Sequence, residues 1–226
     1  MSPVPVITID GPSGSGKGTI ARRVASALGW HLLDSGALYR LVALAAEQSG
    51  RANAAAAEMA DIAAALEVRF DTDAAGDERI WLAGREVSAL LRTEECGRMA
   101  SHVAALPQVR AALLGLQKAF RTAPGLVADG RDMGTAIFPQ ATLKVFLTAS
   151  AEIRAKRRYK QLKDKGIDVS LPALSRDIDE RDRRDLQRSV APLRPAEDAR
   201  LLDSSNLTID EATQTVLDWA KELIST

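Results

Sequence analysis

Nine residues, Gly11, Pro12, Ser13, Gly14, Ser15, Gly16, Lys17, Gly18 and Thr19, form a glycine-rich run that could cradle a polyphosphate. The run follows the apolar stretch Val4-Pro5-Val6-Ile7-Thr8-Ile9 and precedes a helical pattern. Glycines let backbone N–H groups turn inward around an anion, and a helix N-terminus behind them adds positive potential. Lys17 then supplies a point charge for the β/γ-phosphates of a nucleoside triphosphate. The chemistry such a loop serves is nucleotide binding and phosphoryl transfer.

The run departs from the general phosphate-loop pattern, which has Ser or Thr directly after the lysine to reach Mg²⁺. Gly18 holds that position and Thr19 comes one residue later. One residue is about 100° around a helix, so the Thr19 hydroxyl points elsewhere. Direct magnesium ligation by the loop is therefore not expected. Gly-Lys-Gly-Thr is similar to the form in nucleoside monophosphate kinases. An Asn-Lys-x-Asp run for guanine is absent, which argues against a GTPase.

Acid and base residues elsewhere fit the same chemistry. Arg181, Arg184 and Arg188 share a predicted helical face with Asp185 at i, i+3, i+4 and i+7. Arg154, Arg157 and Arg158 stand similarly on the preceding helix, and Gly166-Ile167-Asp168 joins the two. From Glu152 to Arg188 there are twelve Lys/Arg against eight Asp/Glu. The pattern predicts a helical lid that closes on phosphates; ordinary i,i+4 pairing of Arg181 with Asp185 is the alternative. Asp129 ends a predicted buried strand, where a carboxylate could contact Mg²⁺ through water; the alternative is a turn-forming Asp before Gly130. His31 and His102 lack a base or metal partner in the sequence and read as structural.

These side chains need a scaffold, and five continuous apolar runs read as its strands: Val4–Asp10, His31–Leu33, Leu126–Asp129, Leu143–Thr148 and Arg200–Leu202. Continuous rather than alternating runs are expected when both faces of a parallel sheet are covered. Helical patterns separate them at Gly16–Leu28, Ala37–Gln48, Pro107–Arg121, Ala151–Lys165, Pro172–Ser189 and Ile209–Ile224. Pro107 and Pro172 suit first-turn positions, and Thr208 with Glu211 forms a capping-box pattern. The expectation is an α/β fold: a doubly wound, five-stranded parallel sheet with helices on both faces.

Between the second and third of these strands the chain is longer than one crossover needs. Arg51–Leu66 is Ala-rich and helical in pattern; Glu67–Asp71, Arg79–Leu82 and Glu86–Val87 read as short strands separated by Asp/Gly turns. Glu58 to Arg79 holds seven acidic and two basic residues. We expect a single domain over 1–226. Its core would be 1–50, 106–150 and 191–226, with a small inserted α+β lobe at 51–105 and the lid at 151–190. Composition agrees with one sizeable core: 226 residues, 46% hydrophobic, with 30 Lys+Arg against 30 Asp+Glu. Balanced charge and 4% aromatic content give no support for a nucleic-acid partner. One cysteine, Cys96, excludes an internal disulfide and fits a reducing compartment. Neither a signal peptide nor a membrane-spanning run is read, so a cytoplasmic protein is expected.

Taken together, five segments resemble bacterial cytidylate kinase of the type with a long insertion in its monophosphate-binding region. They are Ile9-Asp10-Gly11-Pro12-Ser13-Gly14, Leu33-Asp34-Ser35-Gly36-Ala37-Leu38-Tyr39-Arg40, Ala128-Asp129-Gly130-Arg131-Asp132-Met133-Gly134-Thr135, Glu180-Arg181-Asp182-Arg183-Arg184-Asp185 and Val190-Ala191-Pro192-Leu193. The resemblance implies Mg²⁺-assisted transfer of the γ-phosphoryl group of ATP to CMP or dCMP, by a monomer. It implies Ser101, Arg110 and Asp132 at the base with Arg188 nearby, Asp185 and Arg181 at the ribose, and Ser35, Arg40 and Arg131 at the acceptor phosphate. Lys17, Arg131, Arg157, Arg181 and Arg184 are the expected charge-neutralising groups. A carboxylate accepts from the cytosine N4 amine, which uracil lacks.

Two other readings share the scaffold or the loop. One is a kinase for UMP, AMP or a small alcohol; an alcohol would need a base near the γ-phosphate, for which Asp34 is the early candidate. The other is a nucleotide-binding switch without turnover, which would not need the arginines this chain keeps.

Overall fold

The computed structural model describes residues 4–72, 78–164 and 166–224. In chain order the elements begin with β1 (Val6–Asp10), α1 (Lys17–Leu28), β2 (His31–Asp34), α2 (Ser35–Gln48) and α3 (Ala56–Ala64). Next come β3 (Val68–Thr72), β4 (Glu78–Leu82), β5 (Arg85–Glu86), α4 (Ser88–Leu91), α5 (Glu94–Val103) and α6 (Pro107–Ala119). The remainder is β6 (Leu126–Gly130), a π-helical turn at Met133–Ile137, β7 (Leu143–Thr148), α7 (Ala151–Lys163), α8 (Leu171–Gln187), β8 (Arg200–Asp203) and α9 (Ile209–Ile224). The chain divides into two compact units, Met1–Asp34 with Lys118–Thr226, and Ser35–Gln117.

In the larger unit the strands form one parallel sheet in the order β2-β6-β1-β7-β8. β1 lies at its centre and all five of its residues are buried, which is why Val6-Ile7-Thr8-Ile9 is a continuous run rather than an alternating one. Ile7, Ile9, Ile20, Val24, Val127, Val145, Leu147 and Val216 share one core cluster, to which α1 and α9 bring their apolar faces. Thr208 and Glu211 close the capping box at α9: Glu211 N–H donates to Thr208 Oγ1 at 3.2 Å and Thr208 N–H to Glu211 Oε2 at 2.8 Å. Register brings three carboxylates to adjacent strand ends, since Asp34 pairs with Asp129, Ile9 with Asp129 and Asp10 with Gly130. Ligands of open α/β sheets bind beyond the carboxyl ends of the strands.

The smaller unit carries an antiparallel sheet, β3-β4-β5, in which Phe70 faces Ile80 and Trp81 faces Glu86. α2 packs along α5 and against α3. The Ala-rich helix expected over Arg51–Leu66 is shorter, Ala56–Ala64. Its start is taken by the closure of α2, where Arg51 N–H donates to Ala46 O at 2.7 Å and Gly50 N–H to Glu47 O at 2.9 Å. That pair is a Schellman ending and spends the Arg51 backbone on capping. The turn expected around residues 73–77 and the Lys165 end of the helix after β7 lie outside the described residues.

Candidate active site

The glycine-rich run folds as a loop between β1 and α1. Gly16 is the N-cap of α1 at φ 93°, and neither a capping side chain nor a first-turn acid competes there among the described residues. The first N–H groups of the helix are thus open to an anion. Two loop carbonyls are held from outside: Ser13 O accepts from Arg154 Nη1 at 3.0 Å, and Ser15 O from Arg157 Nη1 at 3.2 Å and Ser204 Oγ at 3.1 Å. Close approach requires glycine at Gly11, where a Cβ would stand 2.1 Å from Leu147 O. Lys17 Nζ reaches back to within 3.5 Å of Pro12 O. Burial away from water and then Arg131 press the Lys17 pKa below its ordinary value, against the pull of Asp129.

Asp129 stands beside this loop: a Cβ on Gly18 would lie 3.8 Å from Asp129 Oδ2. Burial and then Asp34 raise its pKa, and Lys17 with Arg131 oppose the rise. Asp10, whose role the spacing alone did not reveal, accepts the N–H groups of Met133 and Gly134, both at 2.8 Å. Burial pushes Asp10 up to about 7 despite those two bonds. It fixes the start of the π-helical turn, where Asp132 O accepts from Ala136 N–H at 2.8 Å and Ile137 N–H at 3.3 Å. The only sequence signal for this was an acid at the end of an apolar strand, directly before Gly11.

The arginines occupy distinct positions. Arg131 Nε donates to Asp185 Oδ2 at 2.8 Å, joining the end of β6 to α8. Burial raises the Asp185 pKa, but Arg131, Arg188 and Arg181 outweigh it and hold the carboxyl below its usual range. Arg188 follows the last turn of α8 as its C-cap. Arg157 donates through Nη1 to Ser204 Oγ at 3.1 Å and through Nη2 to Ser204 O at 2.5 Å, so it lies against the loop after β8. Arg181 and Arg184 are carried by α8. His31, exposed at the start of β2, makes a structural contact, Nε2 to Ala123 O at 2.9 Å.

In the smaller unit, Ser35 opens α2 and its hydroxyl donates to Gln117 Oε1 at 2.7 Å. Gln117 is fully buried, a polar partner the sequence did not single out. Arg40 Nη1 donates to Leu91 O at 2.5 Å. Ser101 and Arg110 are both buried, and the Arg110 guanidinium lies 5.9 Å from the centre of the Tyr39 ring. The Ser101 hydroxyl is buried with no hydrogen-bond partner among the described residues, as a group reserved for a ligand would be.

Among the described residues no group of three or more His, Cys, Asp and Glu could hold a metal by itself. Asp129 beside the loop offers a hard carboxylate oxygen of the type that a hydrated Mg²⁺ contacts through water. Among the described residues no helix is long and apolar enough to cross a membrane.

Comparison with known proteins agrees along nearly the whole chain. The family model described as Cytidylate kinase matches residues 7–222. A cytidylate kinase of Nitrosococcus oceani is 58% identical over 217 residues, covering 96% of each chain. One of Cupriavidus necator is 58% identical over 219 residues, covering 97% of this chain and 96% of its own. A solved structure of an uncharacterized protein from Eubacterium ventriosum shares the fold at TM-score 0.53 and 14% identity, over 96% of this chain and 98% of that one. The match over residues 7–222, with relatives at 58% identity, places this chain in the cytidylate kinase family.

Proposed function

We propose that the protein transfers the γ-phosphoryl group of ATP to CMP or dCMP, giving CDP or dCDP. The full-length likeness to cytidylate kinases carries the reading, and the open N-terminus of α1 behind Lys17 supports it. A nucleoside monophosphate has a second pKa of about 6, so at neutral pH its phosphate is largely dianionic. Its oxygen attacks in line without a general base, and the protein's work is positioning and charge neutralisation.

In this proposal residues Gly11 to Thr19 hold the ATP phosphates. Lys17, Arg131, Arg181 and Arg184 balance charge on the transferred group. Arg157 joins them from the side of the loop where it already holds Ser15. Mg²⁺ would supply further charge neutralisation there, and Asp129 would hold it through water. In the larger unit Asp132 accepts from cytosine N4, Arg188 lies by the base, and Asp185 with Arg181 meets the ribose. In the smaller unit Ser101 and Arg110 address the base, and Ser35 and Arg40 the acceptor phosphate, which Arg131 also contacts. Balanced charge supports small-molecule substrates rather than nucleic acid. The single cysteine supports a reducing, cytoplasmic setting, where the protein acts as a monomer.

The test is ATP-dependent ADP formation with Mg²⁺, run against CMP, dCMP, UMP, AMP and acceptor-free buffer. Turnover confined to CMP and dCMP is expected. Equal turnover with UMP would remove the base-reading role from Asp132, and a rate no higher than acceptor-free buffer would overturn the reading.

A further inference from the structure

The Arg154 side chain joins four pieces of the larger unit. Its Nε donates to Ala149 O at 2.9 Å, just past β7. Nη1 donates to Ser13 O at 3.0 Å in the phosphate loop and to Asp182 Oδ1 at 3.1 Å on α8, and Nη2 donates to Asp182 Oδ2 at 2.5 Å. The side chain belongs to α7 and is only 5% exposed, with Asp182 at 21%. Four of the five N–H donors of a guanidinium are thereby fixed, two of them in a fork on one carboxylate. Gly14, at φ 77°, lets α7 come this near: a Cβ there would stand 3.2 Å from Arg154 Cβ.

We propose that Arg154 and Asp182 are positioning residues that couple the phosphate loop to the arginines of α8. A loop that offers N–H groups to an anion must turn its carbonyls the other way, and those carbonyls need partners. Arg154 supplies one for Ser13, as Arg157 does for Ser15. Asp182 has Arg181 directly before it and Arg184 two residues after it, so the same guanidinium that sets the Ser13 peptide also sets where α8 lies. Arg154 touches carbonyls and a carboxylate, and its effect on a nucleotide passes through the loop and α8. Asp182 orients the guanidinium and balances its buried charge. With the fork broken, the loop loses the orientation of its Ser13 peptide, and α8 keeps its second tie, Asp185 to Arg131.

The inference deepens the kinase reading of the same site and rests on it, so the experiment measures nucleotide binding apart from turnover. Asp182→Asn, Arg154→Lys and the double variant are compared with wild type by calorimetric Kd for ATP with Mg²⁺, by KM for ATP and for CMP, and by Tm. Asp182→Asn removes the charge and one acceptor; Arg154→Lys keeps the charge and loses the fork. Each single variant is expected to raise the ATP Kd at least fivefold and leave the CMP KM within twofold. The double variant is expected to be no worse than the poorer single one, because both break the same link. Independent, multiplicative effects on ATP Kd, or an unchanged ATP Kd in both single variants, would overturn the coupling. So would CMP KM and ATP KM rising together while Tm falls, which marks a purely structural role. If Asp182→Asn does not fold, Arg154→Lys alone decides through its ATP Kd against CMP KM. Failure of wild type to phosphorylate CMP would sink the acceptor assignment and leave the ATP Kd comparison intact.

Discussion

Asp10 accepts two consecutive backbone N–H groups, those of Met133 and Gly134, each at 2.8 Å, so the last residue of the central strand holds the turn behind Asp132. An amide in its place offers one acceptor oxygen and sets an NH₂ against the other donor. Asp10→Asn should cost about 1–3 kcal/mol, the range for a buried group left unsatisfied. The deficit should depend on pH. The folded pKa of Asp10, about 7, lies above the unfolded 3.8, so its contribution is complete below 3.8 and is lost as pH rises through 7. Melting both proteins from pH 4.5 to 8 should show the gap narrowing toward the alkaline end. A gap that is the same at every pH would refute this account of Asp10.

Much of this scaffold is legible in the sequence because apolar runs and their interruptions are local. β7 has the predicted bounds, Leu143–Thr148, and β1, β2, β6 and β8 differ only at their ends. The phosphate loop is equally plain, since glycine, lysine and a strand before a helix are contiguous signals. What the sequence hid is what depends on distant partners. The π-helical turn at Met133–Ile137 has no composition cue, because it is imposed by Asp10 from over 120 residues away. Likewise nothing in the spacing of α8 shows that Asp185 reaches Arg131 on another element. Gln117 reads as one more polar position on α6 until its contact with Ser35 is seen.

Lys17 tests the charge-neutralising role most directly. Lys17→Met keeps most of the stem and removes the charge. Loss of a charge aimed at a developing anion costs about 10²–10³ in rate, so kcat should fall by that much with CMP as acceptor. The melting temperature should hold or rise, because burial already disfavours the ammonium at this site. A kcat within threefold of wild type would remove Lys17 from the transfer step.

In the proposed reading Asp132, buried at 2% exposure, selects the base. A well-placed pair of hydrogen bonds to a base edge is worth about 1–3 kcal/mol, or roughly 5- to 150-fold. Asp132→Asn should lower kcat/KM for CMP within that range, narrow the preference over UMP, and leave the ATP KM within twofold. Steady-state kinetics with both acceptors decides the matter, and an unchanged CMP-to-UMP ratio would refute the assignment.

Asp185 makes the opposite pH prediction from Asp10. Its folded pKa lies below the unfolded 3.8, with Arg131, Arg188 and Arg181 outweighing burial. Its contribution is therefore present above 3.8 and disappears as pH falls through the folded value. Asp185→Asn leaves the Arg131 guanidinium, 15% exposed, without its carboxylate. Breaking a buried pair from one side costs about 3–5 kcal/mol. The Tm gap to wild type should be constant from pH 5 to 8 and close below pH 4; a gap that widens in acid would contradict the pairing.

The hydrogen bond from Ser204 Oγ to Ser15 O spans 189 positions of the chain. The phosphate loop is thus synthesised well before β8, yet one of its supports is made only after β8 has been synthesised. β1 itself, the centre of the sheet, waits for β6 and β7, which begin at Leu126 and Leu143. A nascent chain halted before residue 200 carries the whole glycine-rich run and lacks Ser204, the partner that helps turn the Ser15 carbonyl outward. The outward turn of the Ser15 carbonyl is thus completed only once the chain has been made through Ser204.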